Sequence, residues 1–382
     1  MRIAIQATWT ARGGIETFVY QLMKEFSKKH EVFFFVSYWG NKNIYELPKN
    51  VHIIEVPVIP QKKDKEKIKN IFLQNKIQII HINNTDAVSI AILKIGKKLK
   101  IPTVISNHQV PEYGVYRWNS INKVPKIQKI KTLIRNFIWK RALVFIDSQT
   151  SLVIVPSLFL KNKLISYGVR KKIEVISCGV DTILFSPKPV GVALKNFYKS
   201  EKTILYMGRL DFGKRIDVLI RAYFEIAKKY DNVGLVLCGQ DSGALSALQE
   251  LINFLKINDR VSILSSLPAQ SQELINYYRY ATLFVLPSEM ETQGIVVLEA
   301  MACGLPIVAA NTSALPELVK PRENGFLFKN GDVEDCARYI EIILSDVDQA
   351  NRFGARGREL IMDHDIEKVA IRFLEVYGSL IQ

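Results

Sequence analysis

Two acidic residues separated by seven positions stand in a segment with the pattern strand, polar loop, helix. Glu291 falls in the loop, and Glu299 falls in the helix, which begins near Gly294 and ends at Gly304-Leu305-Pro306. A helix start presents N–H groups to a diphosphate, and carboxylates accept hydrogen bonds from sugar or ribose hydroxyls. The segment therefore indicates a sugar-nucleotide site. The alternative is an ordinary acid at a helix start followed by a solvated glutamate.

Two cations follow another strand-like segment, Thr203–Met207. Arg209 offers a planar fork of donors to phosphate oxygens, and Lys214 offers a mobile point charge. Together they can stabilise the negative charge that builds on a departing nucleoside diphosphate. The alternative is a pair of surface cations beside a loop.

A single histidine ends the strand-like segment that begins at Thr103. His108 is thereby predicted at the carboxyl edge of a sheet, where α/β proteins bind ligands, although a lone histidine is also often structural. No metal site is predicted. The one Asp-x-Asp, Asp363-His364-Asp365, precedes the final amphipathic segment, so Asp365 is expected to cap that helix.

The segments that would position these residues have the pattern of parallel β-sheets. Strand-like segments alternate with amphipathic helical stretches, which is typical of a parallel sheet covered on both faces. The strand-like segments are Ile3–Ala7, Val32–Val36, Ile77–Ile82, Thr103–Ser106, Leu152–Val155, Thr203–Met207, Leu235–Cys238, Val261–Leu264, Leu283–Leu286 and Ile307–Ala310. A segment with Pro187 and Pro189 and no clean period divides the two series. We therefore predict two doubly wound, Rossmann-like α/β domains at 1–185 and 200–365, facing each other across a cleft.

Composition sets the broad class of the protein. The 382 residues are 48% apolar, which is enough for two ordinary cores. The four cysteines lie far apart, and neither a leader peptide nor a run of about 18 apolar residues is found, so a cytoplasmic protein is expected. Residues 1–200 hold 33 Lys+Arg against 12 Asp+Glu (+21), whereas residues 201–382 hold 19 against 25 (−6). This asymmetry favours an anionic partner for the first half, unless it reflects a generally basic proteome.

Several further segments match one known family in order along nearly the whole chain. They are Gly13-Gly14-Ile15-Glu16, His30-Glu31-Val32, Ile176-Ser177-Cys178-Gly179-Val180-Asp181, Tyr206-Met207-Gly208-Arg209-Leu210 with Lys214, and Glu323-Asn324-Gly325. With the two glutamates, they closely resemble family 4 of the retaining nucleotide-sugar glycosyltransferases, which have the GT-B architecture. The resemblance implies that the last helix, about 366–382, crosses back onto the first domain.

The resemblance also implies a role for each matching residue. The implied catalytic residues are His108, Arg209, Lys214 and Glu291, with Glu291 on the transferred sugar and His108 near the leaving phosphate. The implied donor-binding residues are Gly13, Gly14, Arg209, Lys214, Thr292, Gln293, Gly294, Ile295 and Glu299, of which Glu299 binds the ribose. Retention of configuration is likewise implied by the resemblance, with no protein nucleophile and no cofactor or metal.

The acceptor is sought in residues 113–146, which hold eight cations and no acid. Apolar residues recur there at helical spacing, at Ile127, Ile130, Ile134, Phe137 and Ile138, which is typical of an interfacial membrane helix. The alternative is a helix whose apolar stripe packs on its own sheet. The candidate acceptor or membrane residues are Tyr113, Tyr116, Trp118, Lys126, Lys129, Lys131, Arg135 and Trp139.

The expected function is a hexosyltransferase that moves a sugar from a nucleoside diphosphate sugar to a lipid or lipid-linked saccharide. A uridine diphosphate sugar is favoured over guanosine diphosphate mannose, and the Glu-Thr-Gln-Gly loop resembles that of enzymes acting on diacylglycerol. The expected location is the cytoplasm, at the inner face of the cell membrane. The alternatives are a polysaccharide-precursor acceptor, a sugar-nucleotide epimerase and a noncatalytic sugar-nucleotide sensor. Nucleic-acid binding is not expected, because it does not account for Arg209, Lys214 and the two glutamates.

Overall fold

A computed structural model describes residues 1–9, 13–38, 46–111, 126–188 and 201–381, with the backbone alone described for 126–129. The chain folds into two compact units. The first contains Met1–Pro111, Ile134–Gly179 and Ile366–Gln382, and the second contains Val180–Asp365 together with the described residues 126–133.

The first unit is built on seven strands. They are β1 (Arg2–Trp9), β2 (Glu31–Tyr38), β3 (Val51–Glu55), β4 (Ile79–Ile82), β5 (Thr103–Ser106), β6 (Leu152–Val155) and β7 (Ile173–Val175). Every neighbouring pair is parallel, in the order β3-β2-β1-β4-β5-β6-β7. β1 is buried from Ile3 to Trp9, as expected for a strand covered on both faces.

Five helices are described between residues 14 and 167, and side chains cap two of them clearly. They are α1 (Gly14–Phe26), α2 (Lys62–Gln74), α3 (Ala87–Lys98), α4 (Lys126–Gln149) and α5 (Leu158–Tyr167). Asp86 and Ser89 form a capping box at the start of α3, with Ser89 N donating to Asp86 Oδ1 at 2.8 Å. Ser157 caps α5, which ends at Gly168 in the left-handed region (φ +101°).

The second unit holds six further parallel strands. They are β8 (Lys202–Met207), β9 (Val233–Cys238), β10 (Val261–Leu264), β11 (Leu283–Leu286), β12 (Ile307–Ala310) and β13 (Gly325–Phe328), in the order β10-β9-β8-β11-β12-β13. Its helices are α6 (Ile216–Ala227), α7 (Leu245–Leu255), α8 (Gln272–Tyr280), α9 (Ile295–Ala302), α10 (Leu315–Leu318), α11 (Val333–Ser345) and α12 (Val347–Ile361). Single 3₁₀ turns stand at Phe212–Lys214 and Met362–His364.

The last helix, α13 (Ile366–Ile381), belongs to the first unit. Its Phe373 packs against Phe18 of α1, with ring centroids 5.9 Å apart. Tyr377 is fully buried and shares a 2.7 Å hydrogen bond with His81 Nδ1 on β4. Asp365 directly precedes this helix, and its carboxylate accepts a 2.5 Å hydrogen bond from Thr182 Oγ1.

Two parallel-sheet, Rossmann-like domains confirm the predicted fold class. All ten predicted strands are present, and β3, β7 and β13 were missed. All three are edge strands. An edge strand has a neighbour on one side only and need not be apolar throughout: only Val51 of β3 is fully buried, so no continuous apolar run marks it. The predicted linker falls mainly outside the described residues.

Candidate active site

The switch point of the second sheet lies between β8 and β11. From β8 the chain builds β9 and β10 on one side, and it then returns to place β11 on the other side. In open parallel sheets, ligands bind beyond the carboxyl ends of the strands at this point. The loops after β8 and β11, which carry most of the predicted donor residues, are therefore neighbours.

The loop after β8 holds Arg209 through close backbone packing. Tyr206 Oη donates to Arg209 O at 2.9 Å. A Cβ on Gly239 would lie 1.8 Å from Gly208 O, so only glycine fits between these two strand ends. The Arg209 guanidinium is about half exposed (48%) and lies 3.5 Å from Asp211 Oδ2, whose other oxygen caps the 3₁₀ turn through Gly213 N.

Lys214 and Glu291 meet at the centre of this region. Lys214 Nζ lies 2.5 Å from Glu291 Oε1, and the two side chains are only 11% and 13% exposed. Glu291 N donates to Ser313 Oγ at 2.9 Å, and Ala314 N donates to Glu291 O at 3.2 Å. The acid is thus fixed at both its backbone and its carboxylate, and it holds the ammonium group in place.

A second ion pair, which the sequence analysis missed, lies beside the first. Arg215 is the N-cap of α6 and has φ +48°, and its NH1 donates to Glu289 Oε1 at 3.1 Å. The same guanidinium bonds both oxygens of Asp217, at 3.0 and 3.1 Å. Glu289 N donates to Gly213 O at 3.0 Å. The loop after β11 is therefore tied to the 3₁₀ turn that carries Lys214.

The helix after this loop begins where it was predicted to begin. Gly294 is the N-cap of α9 in the left-handed region (φ +96°), which few other residues adopt without strain. Gln293 is buried, and Thr292 and Ile295 are half-buried beside it. The first N–H groups of α9 therefore lie only a few residues after Glu291 along the chain.

Glu299 lies on α9 against α8. Tyr278 Oη donates to Glu299 Oε2 at 2.7 Å. Part of the residue still reaches solvent, but the carboxyl is deep enough that burial raises its pKa to about 7, against the lowering effect of the Tyr278 hydrogen bond. Tyr278 is a partner that only the fold reveals, because it is 21 residues away in the chain.

The predicted residues of the first unit follow β1 and β5. Gly13 is the N-cap of α1, with Gly14 exposed beside it. His108 follows β5, with Nδ1 3.7 Å from Cys178 Sγ and its ring 5.2 Å from that of Phe18. Burial lowers the pKa of His108 to about 4, so its imidazole is neutral at pH 7.

Comparisons with known proteins identify the family. The model described as Glycosyltransferase Family 4 matches residues 12–184, and that of Glycosyl transferases group 1 matches residues 193–360. The chain belongs to these glycosyltransferases. The family resemblance expected from the motifs is thereby confirmed.

A relative of this glycosyltransferase and two structures of the same fold match nearly the whole chain. Alpha-monoglucosyldiacylglycerol synthase of Streptococcus pneumoniae is 28% identical over 381 residues, covering 92% of this chain and 82% of the relative. Sucrose-phosphate synthase from Thermosynechococcus elongatus has the same fold, with a TM-score of 0.81, 24% identity and coverage of 100% and 99%. Anabaena HepE in complex with UDP-glucose has a TM-score of 0.77 at 19% identity, with coverage of 99% and 100%.

The helix α4 of this glycosyltransferase exposes its apolar stripe. Ile134, Phe137 and Ile138 are 55%, 60% and 61% exposed, and Ile130 is 56% exposed. The opposite face, with Asn136, Leu143, Ile146 and Asp147, is buried. The alternative of a stripe packed on its own sheet is therefore wrong for these four apolar residues.

Basic side chains flank this exposed stripe. Lys131 and Arg135 are exposed, Trp139 is half-buried, and Arg141 lies over the Phe137 ring at 5.5 Å. Tyr113, Tyr116 and Trp118, and the side chains of Ile127, Lys126 and Lys129, lie outside the described residues. Within the described part of the chain, no helix is both long and apolar enough to cross a bilayer. Nor do three or more His, Cys, Asp or Glu side chains of the described residues cluster as a metal site.

Proposed function

We propose that this glycosyltransferase moves a hexose from a nucleoside diphosphate sugar to a lipid or lipid-linked saccharide at an anionic membrane surface. A uridine diphosphate sugar is the favoured donor, and guanosine diphosphate mannose is the next. The names of two similar proteins support this choice, since one is a synthase of monoglucosyldiacylglycerol and the other is a complex with UDP-glucose.

The observation that carries the donor assignment is the Lys214–Glu291 pair at the switch point of the second sheet. In the proposal, Lys214 and Arg209 bind the diphosphate and Glu291 binds hydroxyls of the transferred sugar. Thr292 to Ile295 offer backbone N–H groups at the start of α9. Glu299, held by Tyr278, accepts hydrogen bonds from the ribose hydroxyls, and Gly13 and Gly14 leave room for the diphosphate.

The chemical step in this proposal retains the anomeric configuration. The bond from the anomeric carbon to the leaving phosphate oxygen breaks, and a bond to the acceptor oxygen forms on the same face. The acceptor proton passes to the leaving phosphate oxygen, so no protein nucleophile is needed. His108, neutral at pH 7, donates a hydrogen bond to the donor sugar or its phosphate. Arg209 and Lys214 supply the positive charge, and we therefore infer that no metal is required.

The exposed stripe of α4 supports the membrane part of the proposal. A contiguous apolar surface flanked by cations is costly to leave in water and fits the boundary of an anionic leaflet. Each cation near such a leaflet contributes about 1 kcal/mol of binding free energy. The protein would thus act as a peripheral protein on the cytoplasmic face of the membrane, close to a lipid acceptor.

The first test is release of nucleoside diphosphate from a panel of uridine, guanosine and adenosine diphosphate sugars. Each donor is assayed with EDTA, with and without vesicles of phosphatidylglycerol and diacylglycerol. We expect lipid-dependent release from one uridine diphosphate sugar. Release that needs a soluble saccharide instead would assign the polysaccharide-precursor acceptor. Donor interconversion without an acceptor would assign an epimerase, and binding without turnover a sensor.

The membrane surface is tested by charge reversal on α4. The variant K131E/R135E/R141E should bind phosphatidylglycerol vesicles about 100-fold or more weakly, since three cations are lost from the leaflet. The matched control K62E/K63E/K67E makes the same charge change on the exposed face of α2 and should bind nearly as the wild type does. F137S/I138S should weaken binding without lowering the melting temperature. An equal loss of vesicle binding in both charge variants would show that α4 is not the membrane-binding surface.

A further inference from the structure

The end of β5 is held from several sides before it reaches His108. Ser106 Oγ shares a 2.7 Å hydrogen bond with His81 Nε2, and His81 is in turn bonded to Tyr377 of α13. Asn107 N donates to Ile154 O of β6 at 2.9 Å, which extends the strand ladder by one residue. The Asn107 side chain is therefore the last group that is fixed before the histidine.

The group that fixes this side chain is Asp147 of α4. Asn107 Nδ2 donates to Asp147 Oδ1 at 3.1 Å and to Oδ2 at 3.0 Å, and both residues are buried. Asp147 is 40 residues away in the chain, on the buried face of the helix whose other face carries the exposed apolar stripe.

Packing alone does not account for an acid at this position. Asp147 is fully buried, and among the described residues no cation pairs with it. Burial raises its pKa to about 7, although the Asn107 hydrogen bond lowers it. A buried carboxyl without a cation costs stability that an apolar side chain would not cost. Such a group, bonded to the residue that directly precedes a candidate catalytic histidine, points to a functional role.

We propose that Asp147 is a positioning residue: through Asn107 it fixes the end of β5 and so sets the orientation of the His108 imidazole for sugar transfer. The inference rests on the proposed function, because it assigns a use to His108. Asn107 Nδ2 donates to both oxygens of the Asp147 carboxylate, so the Asn107 amide cannot rotate away without losing both contacts.

The first experiment separates positioning from binding. UDP release from UDP-glucose is measured with vesicles of phosphatidylglycerol and diacylglycerol for D147A, D147N and the exchanged pair N107D/D147N. We expect kcat of D147A to fall roughly tenfold or more, with the donor KM and vesicle binding unchanged, because a small displacement affects the chemical step. D147N keeps one acceptor and should stay within about threefold of wild type. The exchanged pair should restore activity relative to D147A.

A control on the same helix turn excludes a general effect of truncation. Ser148 is exposed and its hydroxyl donates to Phe145 O, so S148A should behave as the wild type does. The proposal is overturned if D147A retains wild-type kcat. It is also overturned if D147A changes only KM or if the exchanged pair stays as impaired as D147A. If D147A does not fold, N107D against the exchanged pair gives the same decision, because N107D loses both amide contacts and the exchanged pair regains one.

A second measurement tests the orientation of the His108 imidazole and does not depend on enzyme activity. The imidazole NMR signals of His108, identified by their loss in H108N, should move in D147A and return in the exchanged pair. An unchanged His108 spectrum in D147A would overturn positioning. Absence of lipid-dependent UDP release by the wild type would count against the proposed function alone, since the spectrum would still test Asp147.

Discussion

The ends of β8 and β11 in the second unit and the end of β5 in the first unit hold their polar residues by opposite means. The second unit uses charge: Lys214 pairs with Glu291, and Arg215 pairs with Glu289. The first unit uses burial: His108 is neutral, and the nearby Asp147 has no cationic partner among the described residues. In the proposed function the charged cluster meets a diphosphate, whereas the neutral residue donates or accepts one directed hydrogen bond.

The comparison also separates two kinds of support. The charged cluster is assembled from two loops on adjacent strands, with its cations on the loop after β8 and its paired glutamates on the loop after β11. The neutral site depends on contacts with α1, α4 and the segment after β7, at Phe18, Asp147 and Cys178. Substitutions far from His108 in the sequence should therefore alter the environment of its imidazole. The charged cluster should be altered mainly by substitutions of its own residues.

Loss of charge at Glu291 should have the largest effect. E291Q should lower kcat about 10²- to 10³-fold, because it alters the proposed contact to the sugar and leaves Lys214 without its 2.5 Å carboxylate partner. Steady-state UDP release measures the effect. The control is E323Q, at an exposed carboxylate paired with Arg356, and it should be active. Near wild-type turnover of E291Q would exclude this acid from the site.

Removal of the imidazole should come next. H108F should lower kcat by roughly 10²-fold with the fold retained, because the ring volume is kept while its hydrogen bond is lost. Because burial lowers the His108 pKa to about 4, the imidazole stays neutral from pH 6 to 9 and should add no limb to the kcat profile there. A wild-type limb near pH 6.5 that disappears in H108F would show that the residue is solvated and titrates.

The buried acid of the first unit should make stability depend on pH. Its pKa is raised from 3.8 to about 7, so the folded state holds the proton more tightly than the unfolded state does. The associated stability is present below about pH 4 and is lost as the pH rises through 7. D147N cannot ionise, so it does not lose this stability. The melting temperature of D147N minus that of wild type should therefore be roughly 5 °C larger at pH 8 than at pH 4. Thermal unfolding at both pH values checks this, and an equal difference would contradict burial of the charge.

The second ion pair should give the smallest effect. E289Q and R215G should each lower stability by about 1 kcal/mol or less, since the side chains keep some solvent contact (24% for Arg215 and 14% for Glu289). Glycine suits the positive φ of residue 215, which offsets part of the loss. A double-mutant cycle measured by urea unfolding should give a coupling energy of roughly 0.5–1 kcal/mol. Strict additivity would mean that the pair does not tie the two loops together.

Local pattern was enough to predict the two domains, the interior strands and the segment from Glu291 to Glu299. Apolar period and helix stop signals act over a few residues, so they can be read from the chain alone. The charge asymmetry and the stripe of α4 could also be read, because helical spacing places Ile134, Phe137 and Ile138 on one side. Whether that side faces water or the sheet could not be read from the spacing.

The tertiary structure decided which of these residues meet and what their environments are. Lys214 and Glu291 are 77 residues apart and meet because the sheet order places β8 beside β11. The pKa values of Glu299, His108 and Asp147 depend on how much water the packed chain excludes from each group, which no local pattern contains. Strand order and desolvation are collective properties of the whole fold, and for that reason the sequence alone named the charged residues but not the contacts that hold them.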